Sequence, residues 1–366
     1  VAKEHLKCAL ETATGYVAKI PTAQPSQGLT GTSICRKLAT LGTGGHQMQT
    51  AELEIIIPIY NRGEAIIPTL QSLLLQTKDE FFVTFVFDGA DAVANATINR
   101  HYGDRPYNIY SMPHRGVGAT RNTGLITSDS PYVMFLDADD LLLPNAVGTI
   151  LNAIGHGFDM MVGKTMREAE NGNFEVVGGA QMTWIHGRVY SKEFLTKYDI
   201  HFPDLPMCED LAFNMICAEF AQRVSETQWP IHIQRYTPGS LSHAEGSLRL
   251  QAETYIEACT FYIESAARFR SLDKLMILPA ALAACYYYLD SVEREFPGDT
   301  ELYHKMCKQF SDLIDISDFH ALNSIPEWQS RFAMALATPA RPFKKTYIPA
   351  LTFEQRITNA KLEALK

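Results

Sequence analysis

The chain has 366 residues, 46% hydrophobic and 20% charged, the proportions of a globular protein with room for one large domain and a smaller helical one. Its formal net charge of −9 excludes general nucleic-acid binding, which needs a basic face to meet phosphates, while leaving room for a nucleotide as a small ligand. The 7 cysteines are scattered, with no CxxC pair or zinc-type spacing, which points to reduced thiols in a cytoplasmic setting.

Residues 1–19 mix charges through their apolar positions, unlike the core of a signal peptide. A weak helical pattern at 3–18 gives way to a Gly-, Ser-, Thr- and Pro-rich stretch at 21–49, which reads as an arm. Residues 53–60 (LEIIIPIY) form a buried strand with Pro58 near its end, where a missing N–H costs least. At 64–76, Ile66, Ile67, Leu70, Leu73 and Leu74 fall on one helix face. A second strand at 81–87 (FFVTFVF) ends in Asp88-Gly89. A helix at 93–100, a short strand at 107–112 and a helix at 118–126 follow. The apolar run 132–136 then stops abruptly at Asp137, Asp139 and Asp140. This alternation predicts an α/β fold, a mostly parallel, doubly wound sheet flanked by helices.

Farther on, 158–162 and 174–177 read as strands and 211–220 as a helix. From about residue 245, helices are expected at 248–269, 272–293, 300–313 and 326–337. The longest uncharged apolar run, 275–289, is shorter than the ~20 residues of a membrane span and reads as a buried helix. The expected organisation is an N-terminal arm (1–50), an α/β domain (51–244) and a helical C-terminal extension (245–366).

Parallel strands present their carboxyl ends on one edge, where open α/β sheets bind ligands. Tyr60-Asn61-Arg62, Asp88-Gly89 and Asp137-Ala138-Asp139 each sit at such an end. Acids this close repel one another and call for water or a hard divalent cation. Taken alone, the Asp cluster also reads as a solvated turn, with Asp140 capping the helix that starts near Pro144. Convergence of an aromatic ring, a lone carboxylate and the cluster on one crevice favours a nucleotide–metal site.

Five strings, PIYN (58–61), FDG (87–89), HRGVGATRNTG (114–124), FLDADD (135–140) and CEDLAFN (208–214), stand in this order. In order and spacing they resemble the motifs of family 2 glycosyltransferases of the GT-A (Rossmann-like) fold, over roughly residues 52–242. The chain departs from the family pattern at His114, where Asn is usual, at Thr120, where Ala is usual, and at Phe87, the first of a usual Asp pair.

The resemblance implies a nucleotide-sugar crevice. Pro58, Tyr60, Asn61 and Asp88 would line the base pocket, with the Tyr60 ring stacking on a uracil-type base and Asp88 accepting from a base N–H. Arg121, early in a helix behind Gly116 and Gly118, would face a phosphate. Asp137 would touch ribose or metal, and Asp139 would ligate Mn²⁺ or Mg²⁺ on the diphosphate oxygens. Arg235 belongs to a segment that closes over the diphosphate, and His243 would be a further metal ligand. His186 is open between an acceptor-site contact and a structural histidine. Glu209 and Asp210, which as plain residues suit a helix N-terminus, would be the catalytic pair, with Asp210 as base.

The expected function is therefore a metal-dependent, inverting glycosyltransferase of hexosyl type using a UDP-sugar. Its acceptor would be a glycan, a lipid-linked sugar or a protein, and no general nucleic-acid binding is expected. The helical extension would supply an oligomer or assembly contact, and the location would be cytoplasmic or peripheral to a membrane or assembly. The alternative keeps the fold without catalysis, as a structural or binding component of a larger assembly.

Overall fold

The computed structural model describes residues 51–177, 184–238, 240 and 247–269, with 299, 301, 302 and 305. The arm at 1–50, His243, and the helices expected at 272–293 and 326–337 lie outside the described residues, as does all but a few positions of the one at 300–313.

The first strand, β1 (Leu53–Ile59), is buried along its whole length, as an apolar run covered on both faces must be. A 3₁₀ turn and α1 (Ile67–Leu74) follow, then β2 (Phe81–Asp88), α2 (Ala92–Tyr102), β3 (Tyr107–Met112), α3 (Val117–Thr127) and β4 (Tyr132–Phe135). β1, β2, β3 and β4 are all parallel, in the spatial order β3-β2-β1-β4. The sheet continues through the two strands expected at 158–162 and 174–177 and through three that the sequence pattern does not announce. After β5 (Leu141–Leu142) and α4 (Ala146–Ile154) come β6 (Met160–Glu168), β7 (Phe174–Val177), β8 (Arg188–Ser191) and α5 (Lys192–Lys197). Then follow α6 (Glu209–Phe220), β9 (Val224–Gln234) and α7 (Ser247–Phe269). β8 inserts antiparallel beside β4, β6 pairs with β8, and β9 runs parallel to β6 with β5 on its far side.

Alternate residues of the central strands feed two cores. Ile55, Ile57 and Ile59 pack with Leu70, Leu73, Ile98 and Ile150 on one face. Ile56, Val86, Val133 and Phe135 pack on the other with α6 and with Tyr255, Ile256, Cys259 and Tyr262 of α7. The first helix of the C-terminal extension thus belongs to the same core as the sheet. Phe135 meets Phe202 edge-on at 5.1 Å, and Phe202 stacks on Phe213 at 4.0 Å, tying the end of β4 to α6.

Three local choices position the carboxyl edge. Leu136 N–H donates to the Ile56 carbonyl, so Ile56 faces β4; Pro58, two residues on, faces the same side beyond the last β1–β4 pair, Ile56 with Phe135. Its missing donor therefore leaves no ladder bond unmade. Glu54, buried inside β1, has its two carboxylate oxygens met by the hydroxyls of Thr84 at 2.5 Å and Ser128 at 2.6 Å, which makes an acid tolerable there. α3 lies flat against β1 because Gly124 has no side chain: a Cβ would stand 2.3 Å from Ile56 Cγ2. Gly124→Ala is expected to lower stability by about 1–3 kcal/mol through overpacking, read as a reduced urea midpoint with an unchanged denaturant slope.

Candidate active site

At the carboxyl edge, the loop after β1 turns through Asn61, whose φ of 48° is left-handed, a conformation that Asn tolerates better than most residues. The backbone N–H groups of Arg62 and Gly63 both donate to Asp91, which also caps α2 through the Ala94 N–H. So held, Arg62 reaches across to Asp139 at 2.9 Å.

Asp88, at the end of β2, is buried and accepts the N–H groups of Arg115 at 2.7 Å and Gly116 at 2.9 Å. The His114 Nδ1 lies 2.9 Å from the same carboxylate, and the His114 ring stacks on Tyr60 at 4.4 Å. The expected base-pocket residues Tyr60 and Asp88 are thus brought together through His114. Pro58 is buried within β1, shaping this edge through the backbone.

Arg121 is 3% exposed. Its guanidinium donates to Asp137 at 2.8 Å and to Glu209 at 2.6 Å, and it lies 5.5 Å from the Phe202 ring centroid. Burial works against its charge, but the two carboxylates outweigh that and raise its pKa. Both arms of the fork meet protein carboxylates, so Arg121 links the end of β4 to α6. Burial alone would raise Asp137; Arg121 and His186 overcome it and hold the acid far below the usual carboxylate range.

Asp140 departs from expectation. It does not cap the next helix: Asn145 occupies the N-cap of α4, and β5 intervenes. Asp140 is instead buried, accepts the Arg235 N–H at 3.0 Å, and faces His186 Nε2 at 3.4 Å and His232 Nε2 at 3.2 Å. The cause is β9, which brings His232 and Arg235 alongside β5. Burial pushes Asp140 up to about 8, His186 opposing and Asp137 and Asp139 reinforcing the rise. Burial also takes His232 down to about 4, which keeps it neutral.

Asp137, Asp140 and His186 each direct one ligand atom to a common point, all within 4.8 Å of one another. The donor set, two carboxylate oxygens and an imidazole nitrogen, fits Mn²⁺ or a similar divalent ion after a small contraction. His186 Nδ1 is buried without a hydrogen-bond partner, a ring not yet satisfied by its surroundings. Asp139 stands outside this group, paired with Arg62. The sequence reading missed Asp140 and His232 as site residues; the only signal was a histidine in an apolar setting, PIHI at 230–233.

Glu209 and Asp210 open α6, whose N-cap Cys208 is left-handed at φ 66°. Gly118 lets α3 approach this corner, since a Cβ there would meet the Pro203 carbonyl at 2.8 Å and Glu209 beyond it. Burial and then Glu209 push Asp210 up to about 8, with Arg121 pulling the other way. A carboxyl raised in this way exchanges its proton near neutral pH.

Residues 54–208 match the model described as Glycosyl transferase family 2. The match runs from β1 to the start of α6. "Putative glycosyltransferase EpsH" of Bacillus subtilis (strain 168) is 24% identical over 253 residues, 62% of this chain and 72% of the relative. "Uncharacterized glycosyltransferase YibD" of Escherichia coli (strain K12) is 23% identical over 263 residues, 63% of this chain and 75% of that one. Among solved structures, S. aureus TarS 1–349 in complex with UDP-GlcNAc superposes with a TM-score of 0.62 at 16% identity, over 78% of this chain and 90% of that one. The chain has the GT-A fold, and among its described residues no helix is long and apolar enough to cross a membrane.

The acids make opposite contributions to pH-dependent stability. Asp140 and Asp210, each raised to about 8, bind protons more tightly folded than unfolded. The stability they supply is present below about pH 4 and is lost as pH rises to 8. His232, lowered to about 4, acts in the other sense but is finished by about pH 6.5. The metal-free protein is thus expected to lose stability between about pH 6.5 and 8.5, seen as a falling urea midpoint. Asp140→Asn should flatten that decline. Arg121→Met, which leaves the buried Glu209 and the partly buried Asp137 unpaired, should cost about 3–5 kcal/mol in the same assay at neutral pH.

Proposed function

We propose that this chain transfers a hexosyl group from a nucleotide-diphosphate donor, a UDP-sugar, to an acceptor hydroxyl with inversion at the anomeric carbon. The observation that carries this reading is the Arg121 bridge. It sets Asp137, just past the end of β4, next to Glu209, and the raised carboxyl of Asp210 follows Glu209 directly, which supports a base beside the carboxyl edge of the sheet. The UDP-GlcNAc complex of a protein with the same fold supports the donor class.

On this reading Tyr60 and Asn61 form one wall of the base pocket. Asp210, once deprotonated, takes the acceptor proton as the hydroxyl oxygen attacks the anomeric carbon and the diphosphate departs from the opposite face. Glu209, held by Arg121, orients Asp210 and sustains its basicity through like-charge repulsion. One base and one displacement give inversion. Arg62, paired with Asp139, and Arg235, whose backbone N–H meets Asp140, border the cluster, which supports a part for both in meeting departing phosphate charge. The geometry favours Asp137, Asp140 and His186 as holders of the divalent ion, whereas the family resemblance favours Asp137 with Asp139 and His243; Asp137 is common to both. Bound there, Mn²⁺ or Mg²⁺ supplies charge neutralisation of the leaving diphosphate. The acceptor class is a glycan, lipid-linked sugar or protein hydroxyl.

Calorimetric titration with UDP, with and without Mn²⁺, tests the donor site: metal-dependent binding is expected, and no binding of UDP or GDP under either condition would overturn the reading. Asp140→Ala should abolish the metal-dependent part if the geometric set holds the ion, and Asp139→Ala if the other set does. Asp210→Asn should retain UDP binding while turnover falls at least ~10²-fold. Because the base must be ionised, kcat of the wild type should rise with pH along a limb near 8.

A further inference from the structure

The expected base acceptor, Asp88, has little acceptor capacity left for a ligand. Its Oδ1 takes the Arg115 N–H at 2.7 Å, and its Oδ2 takes the Gly116 N–H at 2.9 Å and the His114 Nδ1 at 2.9 Å. The side chain is 4% exposed. A carboxylate already receiving two backbone N–H groups acts toward His114 as an acceptor, so Nδ1 carries the proton. In the neutral ring the lone pair then resides on Nε2. That nitrogen lies on the far side of the ring from Asp88, makes no hydrogen bond among the described residues, and belongs to a side chain 58% exposed.

The ring is not free to turn. Tyr60, itself 51% exposed, stacks on it with an interplanar angle of 16°, and the Asp88 contact fixes the remaining rotation. In its neutral form the ring thus presents an oriented lone pair at the carboxyl edge, in plane with any base lying alongside it. Resting on the nucleotide-sugar reading above, we propose that His114, rather than Asp88, is the residue that reads the base, by accepting its imide N–H at Nε2.

The chemistry selects among bases. Uracil carries a donor at N3, which meets the Nε2 lone pair. Cytosine presents a lone pair at N3, so two acceptors face each other, which is unfavourable. Asp88 is then a positioning residue, setting the tautomer and rotamer of the imidazole. The usual Asn of the family also offers an acceptor at this position, but on a flexible amide. Here the acceptor is held by a stack and a buried carboxylate.

The test is UDP and CDP affinity by calorimetry in the presence of Mn²⁺, on the full chain and on His114→Phe, which keeps a ring against Tyr60 but has no nitrogen. The wild type should prefer UDP. His114→Phe should bind UDP about 3–10-fold more weakly, the loss of one hydrogen bond, and should bind CDP as before or better, collapsing the preference. Equal affinity of the wild type for UDP and CDP would overturn the proposal, and so would an undiminished preference in His114→Phe. His114→Ala answers the same question should the phenylalanine variant not fold. A wild type that binds neither nucleotide would instead defeat the donor reading itself, and this assignment with it.

Discussion

One buried guanidinium holds this site in register. Arg121 reaches across 88 positions of sequence to Glu209, at the start of α6, and joins it to Asp137, at the end of a central strand. Neither contact would form at the surface with much consequence, because exposed ion pairs contribute little. Here the partners are 3% and 6% exposed for Arg121 and Glu209, and removing any member strands a charge in a poorly solvated place. The rest of the corner is arranged to make that burial possible. Gly118 and Gly124 let α3 settle against α6 and β1, and the Phe135–Phe202–Phe213 cluster excludes water on the core side. A site built on rigid elements in this way gains positional precision.

Backbone strain is concentrated at the two entrances to the same crevice. Among the described residues only Asn61, Asp199 and Cys208 are non-glycine residues with positive φ. Asn61 immediately follows Tyr60, and Cys208 immediately precedes Glu209. Such conformations persist only where their surroundings over-determine them. The Asp91 bonds to Arg62 and Gly63 do this for the first. For the second, the aromatic packing of α6 holds the helix whose N-terminus Cys208 must reach. Strain at these points turns the chain sharply off an element so that the next side chains face the crevice.

The parallel half of the sheet was legible because its strands are uninterrupted apolar runs that stop at polar residues, and a buried parallel strand has no other way to be written. The Asp cluster and the Glu209-Asp210 pair were legible for the same reason, as acids at the ends of apolar elements. What stayed hidden depends on distant pairing. β8 is four residues containing a buried arginine, and β9 alternates too irregularly to declare itself. Their placement decides the fate of Asp140: without β9, nothing in DADD distinguishes a helix cap from an acid facing two histidines. His114 was visible only as a departure from a family pattern, and its meaning needed the Asp88 bonds that select its tautomer.

The balance of charge explains why such a site would need a cation before it can take a diphosphate. Arg121 joins Asp137 and Glu209 and acts on Asp210 beside them, Asp140 faces Asp137 across His186, and Asp139 is paired separately with Arg62. Arg121 satisfies Asp137 and Glu209. Asp140 and Asp210 are left over, and both respond by holding their protons to about 8. A diphosphate approaching this edge would meet acids rather than the arginine cluster common at phosphate sites. A divalent ion between Asp137 and Asp140 reverses that field at short range, converting a repulsive corner into an attractive one. It would also lower the affinity of Asp140 for its proton, so cation binding should release a proton near neutral pH. The same deficit of positive charge, lying farther from the cation, leaves Asp210 basic. An acid-rich corner with one arginine can thus serve two needs at once, a cation-dependent donor subsite and a carboxylate basic enough to accept a hydroxyl proton.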